Sequence, residues 1–257
     1  MSSSSGNFVW YELLTSDTSA AEPFYRDVLG WSARDSGMSD QGYTIFSAGE
    51  TPAAGMMTLP PEAVELGAQP GWIGYIAVDD VDGSTAQVTR AGGIVHRAPD
   101  EVPGVGRFSV VADPQGAAFV LFKTEMDRPG PPPAPGTPGH AGWHELHAGD
   151  RESAFAFYSG LFGWTKAEAV DLGPIGVYQT FATGGLPVGG IMTKAAAIPT
   201  PFWLYYFNVE NIEAAAARVK AASGQVLHGP SQVPGGSWIL HCLDPQGVIF
   251  ALVGPNG

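Results

Sequence analysis

Apolar and polar residues alternate over 7–14 (NFVWYELL) and then give way to a helical spacing in which Phe24 and Val28 share one face. The pattern predicts a strand followed by a helix over 17–30. Ser19 and Glu22 have capping-box spacing, and Gly30 stands where a left-handed C-cap belongs. Pro23 predicts a late start or a bend, because it has no N–H to give the helix ladder. Short alternating runs at 43–47 and 53–59 predict further strands. The order then repeats, with a strand at 72–78, a helix at 81–91 closed by Gly92 and Gly93, and strands near 94–97, 106–112 and 117–123. Asp113-Pro-Gln-Gly116 has the composition of a tight turn between antiparallel strands. The paired glycines at 92–93, 189–190 and 235–236 all read as turns, and none has the strand-to-helix setting of a phosphate-binding loop.

The whole pattern occurs twice. WYELLTSDTSAAEPFYRDVLGW (10–31) returns without gaps as WHELHAGDRESAFAFYSGLFGW (143–164). Trp10, Glu12, Leu13, Asp17, Phe24, Tyr25, Gly30 and Trp31 are identical to their counterparts 133 positions on. Tyr43, Phe46, Gly55 and Met57 reappear as Tyr178, Phe181, Gly190 and Met192, Trp72 and Tyr75 as Trp203 and Tyr206, and the DPQG turn at 244–247. The second copy of the later helix is expected at 212–222, with Gly224 beyond it. A match spread over both halves is a duplication. Between the copies, RPGPPPAPGTPG (128–139) reads as an extended spacer, since such a stretch continues neither a helix nor a central strand. The expected organisation is a first domain at 1–125, a linker at 126–139 and a second domain at 140–257. Domains of about 125 residues bury a proper core.

The net charge of −13 argues against nucleic acid, whose phosphates need clustered Lys and Arg, and against anionic membrane surfaces. No apolar run reaches the roughly 18 residues of a membrane span. The start, MSSSSGN, has neither the basic nor the apolar region of a secretory signal, so a cytoplasmic location is expected. Cys242, the sole cysteine, forms no internal disulfide and reads as strand filling.

These motifs resemble the vicinal oxygen chelate superfamily, which includes glyoxalase I, bleomycin- and fosfomycin-resistance proteins and extradiol dioxygenases. The resemblance rests on Asp17 followed by FYRDVLGW, on Val78-Asp79-Asp80 and on DPQG at 113–116. In the second copy it rests on Asp150 with FYSGLFGW, on Val209-Glu210-Asn211 and on DPQG at 244–247. It is closest in kind to tandem two-domain bacterial glyoxalase-like members. The resemblance implies an α+β fold of two tandem domains, each of paired β-α-β-β-β units whose mixed sheet curls around a cup. It also implies a divalent metal in the cup, held by His and Glu, acting as a Lewis acid on vicinal substrate oxygens. The positions that would supply those ligands hold Trp10, Ile73 and Val120 in the first copy and Trp143, Leu204 and Ala251 in the second. None ligates a metal through its side chain, so no metal or other cofactor is expected, and a divalent ion at relocated ligands is disfavoured.

Strand alternation puts Glu12 on the face of Trp10, and Glu145 and His147 on the face of Trp143. A carboxylate beside an indole is a candidate general base; it also suits contact with a ligand, or a structural pairing with an Arg or with backbone amides. His144 and His147 point to opposite faces and cannot share an ion without a bulge. Trp10, Tyr43, Met57 and Trp72, with Trp143, Tyr178, Met192 and Trp203, line an apolar pocket for a flat molecule or simply fill the core. His241 approaches the same cup or is a hydrogen-bonded structural histidine. The expected partner is a small, partly apolar molecule bound by a monomer or homodimer. Three functions are open: a metal-poor sequestering or sensing protein, a glyoxalase-like lyase, isomerase or dioxygenase using Glu12, Glu145 and His147, or a protein-interaction module.

Overall fold

A strand, a helix and three strands follow one another four times in the computed structural model, which describes residues 5–37, 42–125 and 133–256. The expected spacer falls partly outside these, in 126–132. The first set is β1 (Phe8–Thr15), α1 (Thr18–Leu29), β2 (Ser32–Asp35), β3 (Thr44–Ala48) and β4 (Thr51–Thr58), followed by the short helix α2 (Pro61–Glu65). The second is β5 (Gly71–Ala77), α3 (Val81–Arg90), β6 (Ile94–Val102), β7 (Gly106–Ala112) and β8 (Ala118–Thr124). In the second copy the sets are β9 (Ala141–Ala148), α4 (Arg151–Phe162), β10 (Thr165–Asp171), β11 (Val177–Ala182) and β12 (Pro187–Thr193), then β13 (Phe202–Asn208), α5 (Ile212–Ala221), β14 (Gln225–Gln232), β15 (Trp238–Leu243) and β16 (Ile249–Gly254). Strands hydrogen bond in the orders β2-β3-β4-β1, β5-β8-β7-β6, β10-β11-β12-β9 and β13-β16-β15-β14. Each run is mixed: β1–β4, β5–β8, β9–β12 and β13–β16 are parallel and the rest antiparallel. This is the expected α+β class.

Several local expectations need correction. The N-cap of α1 is Asp17, whose carboxylate accepts from Ala20 N at 3.0 Å, and not Ser19. Asp150, Asp80 and Asn211 cap the other long helices in the same way. A carboxylate or amide there satisfies an amide that the helix leaves without a partner. Pro23 does not delay the helix, which already runs from Thr18; the residue is exposed and only one ladder donor is lost. Gly30 and Gly163 are left-handed C-caps, with φ of 72° and 69°. Strands β2 and β10 were not legible, since β2 is a short, largely exposed edge without alternation and β10 is exposed almost throughout.

By contacts the chain falls into two compact units that are a different partition from the two sequence copies. One holds Met1–Val9, Gly74–Pro131 and Trp143–Trp203; the other holds Trp10–Ile73, Pro132–Gly142 and Leu204–Gly257. Each unit therefore packs a β-α-β-β-β set of one copy against a set of the other.

In the first unit the Tyr158 hydroxyl donates to Asp113 Oδ2 at 3.2 Å and accepts from Trp203 Nε1 at 3.1 Å. Asp113 Oδ1 accepts from the amides of Gln115 and Ala117 at 2.8 and 3.0 Å, which fixes the DPQG turn. Trp164 stacks on Phe181 and Tyr158 and donates to Gly6 O at 2.8 Å. The second unit repeats this with the copies exchanged. Tyr25 donates to Asp244 Oδ2 at 3.0 Å and accepts from Trp72 Nε1 at 3.0 Å, while Trp31 donates to Gly139 O at 2.8 Å. The Arg218 guanidinium of α5 donates twice to Val28 O, placing a cation on the C-terminal carbonyls of α1. The repeated Tyr, Trp and DPQG residues are thus the buried polar frame of each unit.

Candidate functional site

On the first copy, β1 and β4 run parallel with Glu12 beside Gly55 and Leu14 beside Met57. Trp10 and Glu12 share a strand face, and Tyr43 reaches across it. Trp10 Nε1 donates to the Tyr43 hydroxyl at 3.0 Å, and that hydroxyl is hydrogen-bonded in turn to the Glu12 carboxylate. Burial first, and the Glu12 charge second, hold the Tyr43 phenol well above its ordinary range, so it is a fixed O–H donor. The crossing requires Gly55: a β-carbon there would overlap the Tyr43 ring and hydroxyl.

The second copy rebuilds the group in the other unit. Glu145 lies beside Gly190 and His147 beside Met192. Trp143 Nε1 donates to the Tyr178 hydroxyl at 2.6 Å, and Tyr178 is hydrogen-bonded to Glu145. Its phenol is raised for the same causes in the same order, burial and then the Glu145 charge. Gly189 and Gly190 are not a turn but the middle of β12; a β-carbon on Gly190 would meet the Tyr178 ring, and one on Gly189 would meet His144 O and Phe181. His147 distinguishes this copy, because its counterpart is Leu14. Its Nε2 lies 2.8 Å from Glu145 Oε1, at an angle that makes no regular hydrogen bond, and the imidazole stacks on Phe202 at 4.7 Å between ring centroids. Phe202 was missed in the sequence because it has no aromatic counterpart in the first copy, where Gly71 stands.

The structure therefore joins Trp10, Tyr43 and Glu12, with Met57 in register, and separately Trp143, Tyr178, Glu145, His147 and Met192. It does not join Trp72 and Trp203 to them. Both stand in the helix-side core with Tyr25 and Tyr158, as the preceding alternation already requires: Trp72 points opposite to Ile73, and Trp203 opposite to Leu204. His241 sits on β15, its Nε2 2.8 Å from Tyr206 Oη.

The usual metal of the resembled family does not fit the residues present. Two of the six positions are indoles already donating to phenols, and the other four are aliphatic, with Val120 beside Tyr75 and Ala251 beside Tyr206 in the ladders. Among the described residues no three His, Cys, Asp or Glu side chains gather to hold an ion.

His144 faces away from His147. It is buried, stacks on Phe8 at 4.2 Å and lies 2.7 Å from Val188 O through Nδ1. Burial lowers its pKa from 6.5 to about 4. The unfolded chain then binds the proton more tightly, so this group's stability is complete above about pH 6.5 and is lost as the pH falls towards about 4. The expected loss between pH 7 and 4.5 is about 2–3 kcal/mol, at 1.36 kcal/mol per unit. Asp113 and Asp244, raised chiefly by burial, oppose this on acidification, so the measurement is a difference. Urea midpoints at the two pH values should show His144→Gln losing less stability than the unaltered protein; equal losses would remove His144 as the cause.

A family model described as the glyoxalase/bleomycin resistance protein/dioxygenase superfamily matches residues 7–121 and 137–252. A Mycobacterium tuberculosis protein named "Putative glyoxylase CFP32" is 33% identical over 96% of the chain and 94% of its own length. The anthracycline biosynthesis protein DnrV of Streptomyces peucetius is 32% identical over 95% of the chain and 91% of its own. Among solved structures, the Mn(II)-bound glyoxalase of Novosphingobium aromaticivorans matches at TM-score 0.64 and 18% identity, covering 97% of this chain and 81% of that one. The 2,3-dioxygenase LapB of Pseudomonas sp. KL28 matches at 0.65 and 15%, covering 96% and 91%. At those identities the structures speak for the fold alone.

Proposed function

The chain belongs to the glyoxalase/bleomycin resistance protein/dioxygenase superfamily, and from that premise we propose that it binds a small, flat, partly apolar molecule, in a sequestering or sensing role, without the family's usual metal. The observation that carries this reading is the Trp→Tyr→Glu chain, built in each copy over a glycine that exists to let the tyrosine cross. An indole and a phenol offer flat apolar surface, and a carboxylate held by the phenol offers an acceptor to a hydroxyl or N–H of the ligand. Relatives named for anthracycline biosynthesis make a planar hydroxylated aromatic the class to try first.

The second reading, an acid–base enzyme of the lyase or isomerase type, is favoured by one feature, the approach of His147 to Glu145 in the second copy. It places chemistry in that copy alone and leaves the first as a binding face.

Calorimetric titration with quinizarin, a planar dihydroxyanthraquinone, tests the first reading. Glu12→Gln with Glu145→Gln should weaken binding about tenfold or more, since a hydrogen bond to a charged group contributes about 1.5–3 kcal/mol. An affinity untouched in the double variant would sink the reading.

A further inference from the structure

We propose that His228 and His241 form a binding site for a late first-row divalent cation, namely copper, nickel or zinc, on residues the family does not use as ligands, with His241 the cross-strand partner of Ala251. The two residues are Cα partners across the antiparallel β14–β15 ladder. Side chains directly opposite one another in such a ladder start about 5 Å apart at Cβ and reach a common point above the sheet. Their ring centroids lie 5.4 Å apart, with planes at 47°. Two imidazoles sharing one ion at metal–nitrogen distances near 2.0–2.1 Å, at a near-tetrahedral angle, have centroids roughly 5 Å apart, so the rings stand close to ligating separation.

Tyr206 Oη lies 2.8 Å from His241 Nε2 and orients that ring, the part a second-layer partner plays beside a metal-bound histidine. His228 is exposed on its strand, so an ion reaches the pair from solvent. The pair is confined to the second copy: the corresponding positions of the first are Arg97 and Val110, paired in the same register and unable to chelate. Imidazole nitrogen suits copper, nickel and zinc, whereas magnesium and calcium favour oxygen.

The test is calorimetric titration of Cu(II), Zn(II) and Mn(II) into tag-free, chelator-dialysed, full-length protein. The expected result is one Cu(II) site per chain, tightest for Cu(II) and weakest for Mn(II), with affinity at least tenfold lower in His228→Asn and in His241→Asn. His228 is exposed, so His228→Asn keeps the fold and reads the site directly. Absence of Cu(II) binding, or affinity unchanged in His228→Asn, overturns the proposal.

Discussion

Asp244→Ala is expected to destabilise the protein by about 3–5 kcal/mol, since it leaves three buried neutral donors without their acceptor at about 1–3 kcal/mol each. The carboxylate serves three donors at once: the amides of Gln246 and Val248 at 2.9 and 2.8 Å, and the Tyr25 hydroxyl at 3.0 Å. Its side chain is almost wholly buried, so water does not replace what is removed. Tyr25 in turn holds Trp72, which packs on Phe207, so the loss spreads from the turn at 244–247 into the aromatic core. Asp244→Asn keeps an oxygen for the two amides and should cost about 1 kcal/mol, the net worth of one ordinary hydrogen bond. Asp113→Ala should reproduce the larger loss in the other unit, because Gln115, Ala117 and Tyr158 occupy the same three places around Asp113. Urea denaturation read by tryptophan fluorescence measures both. A loss below about 1 kcal/mol for Asp244→Ala would show that the frame does not depend on this carboxylate.

Gly190→Ala should cost about 1–3 kcal/mol, the usual penalty for forcing an extra carbon into a filled site, and should remove ligand binding at the second copy. The added carbon falls on the Tyr178 ring. The ring has to leave, and with it go the bond from Trp143 and the bond to Glu145. Tyr178→Ala in the same chain removes the clash, so the double variant should recover stability relative to Gly190→Ala while binding stays lost. That split separates the two roles of Tyr178, packing and ligand recognition. Gly55→Ala should act alike in the first copy through Tyr43. Full binding at the second copy in Gly190→Ala would contradict the assignment.

The fold was legible because duplication doubled each signal. Helices came from the 3.6-residue period, supported in α1 and α4 by left-handed glycine caps, and the DPQG turns from composition. What stayed hidden is instructive in physical terms. Trp→Tyr→carboxylate chains occur in two settings here, Trp72–Tyr25–Asp244 in the core and Trp10–Tyr43–Glu12 on the strand face. Composition does not separate them, since both join residues that recur in the two copies. Alternation does separate them, because Trp72 and Ile73 must point apart. The partners of Tyr25 and Tyr158 were out of reach for another reason: each tyrosine bonds the aspartate of the opposite copy, at 219 and 45 residues' separation. No local pattern encodes that exchange. The glycines of β12 read as a turn from composition alone, whereas their place in a strand follows from the ring that has to lie over them.

The central claim is that a planar ligand rests on the Trp–Tyr–Glu faces. A crystal structure of the full-length protein with quinizarin tests it most directly. The account predicts density for the rings against Trp10 and Tyr43, or against Trp143 and Tyr178, with a hydroxyl within hydrogen-bond distance of Glu12 or Glu145. Quinizarin bound only elsewhere, with both faces bare of it, would contradict the account.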